Sequence, residues 1–142
     1  MQQLLIITPV KDSIDHTVRT MEAVVQSDLD VPHRYVVFND NSTPENTARL
    51  HTEAARLGVE VVDLATLTDH PSPNYLFVLR RCRKEALADD AGLLIVESDV
   101  TVQRDTLQKL FDGATARPNC GIAAAVTVDE EGKINYPYLY AR

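Results

Sequence analysis

The tripeptide Glu97-Ser98-Asp99 follows directly on the apolar run Leu93-Leu94-Ile95-Val96. A short β-branched run that ends in acids reads as a buried parallel strand carrying two oxygen ligands on its C-terminal tip. Hard carboxylate oxygens at such spacing suit Mg²⁺ or Mn²⁺, which take one or two carboxylates together with ligand phosphates. A third acid, Asp40, sits in the polar cluster Asn39-Asp40-Asn41-Ser42-Thr43-Pro44 after the run Tyr35-Val36-Val37-Phe38. An aspartate there is an acceptor for the N–H of a nucleobase edge. The basic run Arg80-Arg81-Arg83-Lys84 precedes the acid strand, and a guanidinium matches phosphate as a bidentate fork. Neither the dinucleotide glycine fingerprint nor the P-loop occurs in the chain, so a phosphate-rich ligand needs a cation to neutralise it.

Plainer roles stand beside each of these. Acids at a strand end also make ordinary polar turns, and Asp40 could serve only as an Asx-turn cap for the helix after it. Thr8 taken singly is a strand residue, and the Arg80–Lys84 cluster taken singly is a solvated helix face. The four histidines, His16, His33, His51 and His70, have no metal-ligand spacing. Cys82 and Cys120 lack it too, and two reduced thiols fit better than a disulfide framework. Cys82 is expected to be a packed thiol.

The elements that position these residues alternate. Leu4 to Thr8, closed by Pro9, is a first buried strand. Ile14, Val18, Met21 and Val25 recur at helical spacing, with Ser13 as N-cap. Tyr35–Phe38 is a second strand; Thr47, Leu50, Ala54 and Leu57 mark a helix that Gly58 stops. Val59–Leu64 is a third strand, followed by a loop over 65–74 and a basic helix reaching Ala88. Leu93–Val96 is the fourth strand, and Leu107, Leu110, Phe111 and Ala114 mark a further helix. Gly121–Val128 reads as a small apolar strand, Asp129-Glu130-Glu131-Gly132 as a turn, and Ile134–Tyr140 as a returning strand. Alternation with short loops predicts an α/β protein: a three-layer α/β/α, mostly parallel Rossmann-like sheet with right-handed crossovers. If strands one, two and four are neighbours, the tips Thr8-Pro9-Val10, Asn39-Asp40-Asn41-Ser42 and Glu97-Ser98-Asp99 converge on one crevice.

With 142 residues, 44% hydrophobic and 25% charged, the chain suits one domain spanning 1–142 with its own core. A net charge of −7 argues against a broad nucleic-acid or anionic-membrane surface. The apolar stretch in Met1–Ile7 has no basic flank and is too short for a signal or a membrane span, which places the expectation in the cytoplasm. The tail aromatics Tyr136, Tyr138 and Tyr140 read as core or interface, and self-association into a homo-oligomer is left open.

These pieces, in this order, resemble the N-terminal nucleotide-sugar-binding half of the family 2 glycosyltransferases with the GT-A fold. Ile6-Ile7-Thr8-Pro9-Val10 looks like the family's first strand and its proline-containing tip. Val36-Val37-Phe38-Asn39-Asp40-Asn41-Ser42-Thr43 looks like its second strand and Asp-Asp-Gly-Ser-Thr turn, and Glu97-Ser98-Asp99 takes the place of its Asp-x-Asp motif. The match runs through about residue 112. The resemblance implies that Asp40 reads a uracil-type base, that Thr8, Pro9, Val10, Ser42 and Ser98 line the nucleotide, and that Asp99 ligates the metal bridging the diphosphate. Glu97 would lie near the ribose or the metal, and Arg81 would reach the diphosphate. Three departures stand out: Asn39 for the first paired aspartate, Asn41 for the glycine and Glu97 for the first acid of the metal motif. Cys82 also breaks an Arg-Asn pattern.

The expected function is therefore binding of a nucleotide-diphospho-sugar, with UDP as the expected nucleotide, through Mg²⁺ or Mn²⁺, and transfer of the sugar to an acceptor hydroxyl. The resemblance implies that acceptor site and general base belong to the family's second half. A non-catalytic nucleotide-sugar-binding or assembly module is the alternative from another class. A sugar nucleotidyltransferase is the third reading, and it lacks its glycine-rich phosphate loop.

Overall fold

The computed structural model describes residues 2–134. Residues 1–108 and 109–142 are two compact units, and each is described by itself.

The first unit contains four parallel strands: β1 (Gln3–Val10), β2 (His33–Asn39), β3 (Glu60–Asp63) and β4 (Ala91–Ile95). They lie in the order β3-β2-β1-β4, so strands one, two and four are neighbours, as the strand-tip reading requires. Helices α1 (Ile14–Val25) and α2 (Pro44–Leu57) follow β1 and β2, and α3 (Tyr75–Ala88) connects β3 to β4. Two apolar clusters result. Val10, Ile14, Met21, Val37, Leu50 and Ala54 pack where α1 and α2 cover the sheet. Leu5, Ile7, Val36, Phe38, Leu64, Val78 and Cys82 pack where α3 covers it. Successive side chains on a strand point to opposite faces, so Val36 and Val37 enter different clusters. This is the expected three-layer α/β/α arrangement.

From β1 the chain moves outward to β2 and β3, then returns across to β4 on the other side of β1. The direction of winding reverses at β1, and the C-terminal ends of the strands there form the crevice that open α/β sheets offer to ligands.

Element limits differ from expectation in ways that have physical causes. β1 does not close at Pro9 but continues to Val10, in register with Asn39. The Ile7 carbonyl accepts from Val96 N–H on the β4 side, whereas the Val10 carbonyl accepts from Asp40 N–H on the β2 side. By alternation Pro9 faces the β4 side, beyond Ile7↔Ile95, the last pair of that ladder. Its missing N–H therefore breaks no bond. Ser13 occupies the N-cap position of α1 at φ 41° but makes no side-chain cap. Thr43 caps α2 as a side-chain acceptor with Pro44 behind it, and Gly58 ends that helix at φ 69°.

The helix α4 (Thr106–Thr115) runs into the second unit. There the strand expected over Gly121–Val128 is not formed: apart from a lone bridge between Val128 and Ile134, the segment has no ladder. Its residues are exposed, and a small apolar run without a partner strand among the described residues gains no ladder hydrogen bonds. The turn at Asp129–Gly132 is present, closed by the Gly132 N–H to the Asp129 carbonyl at 3.0 Å. Of the returning strand expected over 134–140 only Ile134 is described, in its bridge to Val128; the rest and the tail tyrosines lie outside the described residues.

Candidate functional site

At the C-terminal ends of β1, β2 and β4 lies a cavity of about 200 Å³ lined by Pro9, Val10, Lys11, Asp40, Leu64, Ser72, Pro73, Asn74, Tyr75, Val78 and Glu97. Four of the residues singled out in the sequence thus meet: Pro9, Val10, Asp40 and Glu97. Five do not line it: Thr8, Ser42, Arg81, Ser98 and Asp99.

Asp40 is 7% exposed. Its Oδ2 accepts from the Asn74 N–H at 2.7 Å and the Ser72 hydroxyl at 2.8 Å, and its Oδ1 accepts from Asn74 Nδ2 at 2.7 Å. Burial pushes this carboxyl up, but the Asn74 and Ser72 hydrogen bonds, with the charge of Lys11, outweigh it and hold the group below the ordinary carboxylate range. Asp40 is therefore an anion that straps the loop before α3 to the tip of β2. It does not cap α2, because Thr43 does. A carboxylate has about four acceptor positions; the fourth here is met only by Asn41 Nδ2 at 3.5 Å, at the outer limit of a hydrogen bond.

Glu97 also lines the cavity, and its Oε1 accepts from the Tyr75 hydroxyl at 2.8 Å. Partial burial and the neighbouring Glu97 carboxylate push the Tyr75 phenol up to about 12, so it stays a donor. After Glu97 the chain turns, with the Val100 N–H on the Glu97 carbonyl at 3.2 Å. Ser98 and Asp99 occupy the middle of that turn, and Asp99 is exposed on it. No group of three or more His, Cys, Asp or Glu side chains forms a ready metal cage among the described residues. Two carboxylates on one turn nonetheless fit a hard cation whose other ligands are water and phosphate.

The other sequence-derived positions have different tasks. Thr8 is fully buried and its hydroxyl meets the Tyr35 hydroxyl at 2.9 Å, away from the cavity. Ser42 Oγ accepts the Asp12 N–H at 2.8 Å, which joins the β1–α1 and β2–α2 loops. Arg81 is exposed on α3. Cys82, fully buried in the α3 cluster, is a packed thiol whose pKa burial raises to about 11.

Two departures from the family pattern have structural reasons. Asn39 is 3% exposed and donates from Nδ2 to Asp63 Oδ1 at 2.7 Å; an aspartate there would set one carboxylate against another. Asn41 takes φ 57°, a left-handed conformation that Asn tolerates better than other side chains do.

Lys11, Ser72, Asn74 and Tyr75 were not singled out in the sequence. The signal was present for the last three, in a long loop ending on a polar residue before a helix, but no spacing rule links a loop residue to a carboxylate 34 positions away.

No protein-family model matches the chain, and no curated protein matches it in sequence. Solved structures do match. Staphylococcus aureus TarS, solved with UDP-GlcNAc, is 20% identical at a TM-score of 0.54, covering 80% of this chain and 32% of its own. A mannosyltransferase from Pyrobaculum calidifontis, solved with GDP-Man and Mn²⁺, is 17% identical at 0.53, covering 76% and 31%. Glucosyl-3-phosphoglycerate synthase from Mycobacterium tuberculosis, solved with Mn²⁺, UDP and glucosyl-3-phosphoglycerate, is 17% identical at 0.51, covering 80% and 39%. The chain spans about a third of the length of these structures. It carries the parallel α/β/α fold of the GT-A glycosyltransferases.

Proposed function

We propose that the chain is the donor-binding domain of a glycosyltransferase that takes a nucleotide-diphospho-sugar, with UDP as the leading nucleotide. The observation that carries this reading is the cavity at the strand tips, which has both Asp40 and Glu97 within a largely apolar lining. Such a slot suits a flat base, with a few polar groups to orient it. Asp40 accepts the base N–H at the position that Asn41 Nδ2 meets at 3.5 Å, in place of that long contact. Glu97 and Asp99 hold Mg²⁺ or Mn²⁺ on the turn after β4. When bound, the cation neutralises the diphosphate and favours its departure. Arg81 adds a further phosphate contact, while Thr8 and Ser42 act through the backbone they fix. In transfer, an acceptor hydroxyl oxygen bonds to the anomeric carbon and the bond to the diphosphate oxygen breaks. Two reduced thiols support a cytoplasmic setting. No helix among the described residues is long and apolar enough to cross a membrane.

A second reading, donor binding without transfer by this chain, has its own support. Asp40 and Glu97 are the acids that line the cavity, and both already have tasks, so no carboxylate there is assigned to deprotonate an acceptor. Titration calorimetry with UDP, with and without Mn²⁺, tests the shared part of both readings. Micromolar to millimolar binding that needs Mn²⁺ and is lost in Asp99→Ala supports it; equal binding without metal removes the metal role. Hydrolysis of a nucleotide-sugar by the chain alone would count against the second reading.

A further inference from the structure

Helix α3 carries four cations, Arg80, Arg81, Arg83 and Lys84, against one acid, Glu85, in a chain of net charge −7. That acid is ion-paired with Arg34. Arg49, Arg56 and Arg104 are also paired with acids. Arg80, Arg83 and Lys84 are exposed and have no carboxylate partner among the described residues. On the inner side of the helix Val78, Cys82 and Ala86 are buried, while Leu76 and Leu87 are 58% and 70% exposed. At about 100° per residue the two leucines lie within about 20° of each other, at the two ends of a stripe about 16 Å long. Arg83 falls about 20° to one side of Leu76, and Arg80 and Lys84 fall about 40° and 80° to the other. Arg81 lies outside the stripe, about 140° from Leu76.

We infer that this outer face of α3 is a docking surface for an anionic lipid bilayer. An apolar line with cations on both sides, on a helix whose other side is anchored in a core, is built to lie in a membrane surface. The leucines enter the acyl boundary, and the long basic side chains reach back to the lipid phosphates. A convex ridge meets a flat, fluid surface along its whole length, whereas a folded acidic partner must bring a groove of matching shape. The net charge disfavours membrane affinity over the whole surface but not on this face. Asp15, Glu22, Glu45 and Glu53 belong to α1 and α2, which cover the opposite face of the sheet. They lie a sheet layer away from the stripe, beyond the reach of about 8 Å that charges have at physiological salt. The inference goes beyond donor binding and does not depend on it.

The test is co-sedimentation of the chain with vesicles of phosphatidylcholine alone and of phosphatidylcholine with phosphatidylglycerol, at low and high salt, with thermal melts to confirm that every variant folds. Wild type is expected to bind the anionic vesicles, to leave the neutral ones, and to be released by salt. Arg80→Gln should weaken binding about fivefold, and the triple change Arg80→Gln, Arg83→Gln and Lys84→Gln about a hundredfold. Leu76→Ser with Leu87→Ser should weaken it about tenfold. Arg19→Gln, which removes an equal charge from the exposed side of α1, should leave it unchanged. Absent binding to anionic vesicles, equal binding to neutral ones, or full binding by the triple variant would overturn the inference. So would an equal loss in Arg19→Gln and Arg80→Gln, or no loss in the leucine variant. Capture of polyglutamate as tight as that of vesicles at equal charge would assign the face to an acidic protein segment and overturn it too.

Discussion

Asp40 and Asn74, 34 residues apart, are joined by two hydrogen bonds of 2.7 Å, one from the Asn74 backbone and one from its side chain. The tip of β2 and the start of α3 are thereby locked together, and Ser72, Pro73 and Asn74 at the end of the loop between β3 and α3 line the cavity. Asn74 is itself buried at 6% exposure, so removing its partner leaves the Asn74 backbone N–H without its acceptor and the side-chain amide with the His70 carbonyl alone. Asp40→Ala should cost about 2 kcal/mol at neutral pH, in the range for an orphaned buried polar group, measured by urea unfolding.

That cost should depend on pH. The Asp40 carboxyl lies below its ordinary value of 3.8 in the folded protein. Its contribution is therefore present above pH 3.8 and is lost as pH falls through the lower, folded value. The gap in melting temperature between wild type and Asp40→Ala should be widest near neutrality and shrink below pH 3.8. A gap that widened in acid would contradict the arrangement.

Asn39→Asp restores the residue usual in the resembled family and should nevertheless destabilise this chain, by about 1 to 3 kcal/mol. The new carboxylate would lose the donor now bonded to Asp63 Oδ1 at 2.7 Å and face that acid instead. Unfolding of Asn39→Asp alone and with Asp63→Asn is the check: the second change should recover most of the loss.

Asn41 supplies the complementary case. At φ 57°, Asn41→Gly should leave stability nearly unchanged, whereas Asn41→Val should cost about 1 to 2 kcal/mol, because a β-branched side chain is penalised in the left-handed region. Thermal melts of the two variants separate them.

Much of this was readable in the sequence. Apolar runs separated by 3.6-residue periodicity gave the order of strands and helices, and the polar ends of Ile7, Phe38 and Val96 named the tips that converge. Local chemistry also carried Thr43, Pro44 and Gly58, since caps depend on neighbours in sequence. Thr8 lies off the cavity lining because a strand residue's face is decided by register, and register put its hydroxyl on Tyr35. Asn74, Tyr75 and Lys11 were silent for the opposite reason: their importance comes from loops brought together by crossovers. The small apolar run in Gly121–Val128 had the composition of a strand, but a strand needs a neighbour, which composition does not report.

The most direct measurement is a crystal of the chain soaked with UDP and Mn²⁺. The account predicts the uracil ring in the cavity, within hydrogen-bond distance of Asp40, with the metal between the diphosphate and the Glu97–Asp99 turn. A nucleotide seated elsewhere on the surface, or strand tips without nucleotide under saturating UDP and Mn²⁺, would contradict it.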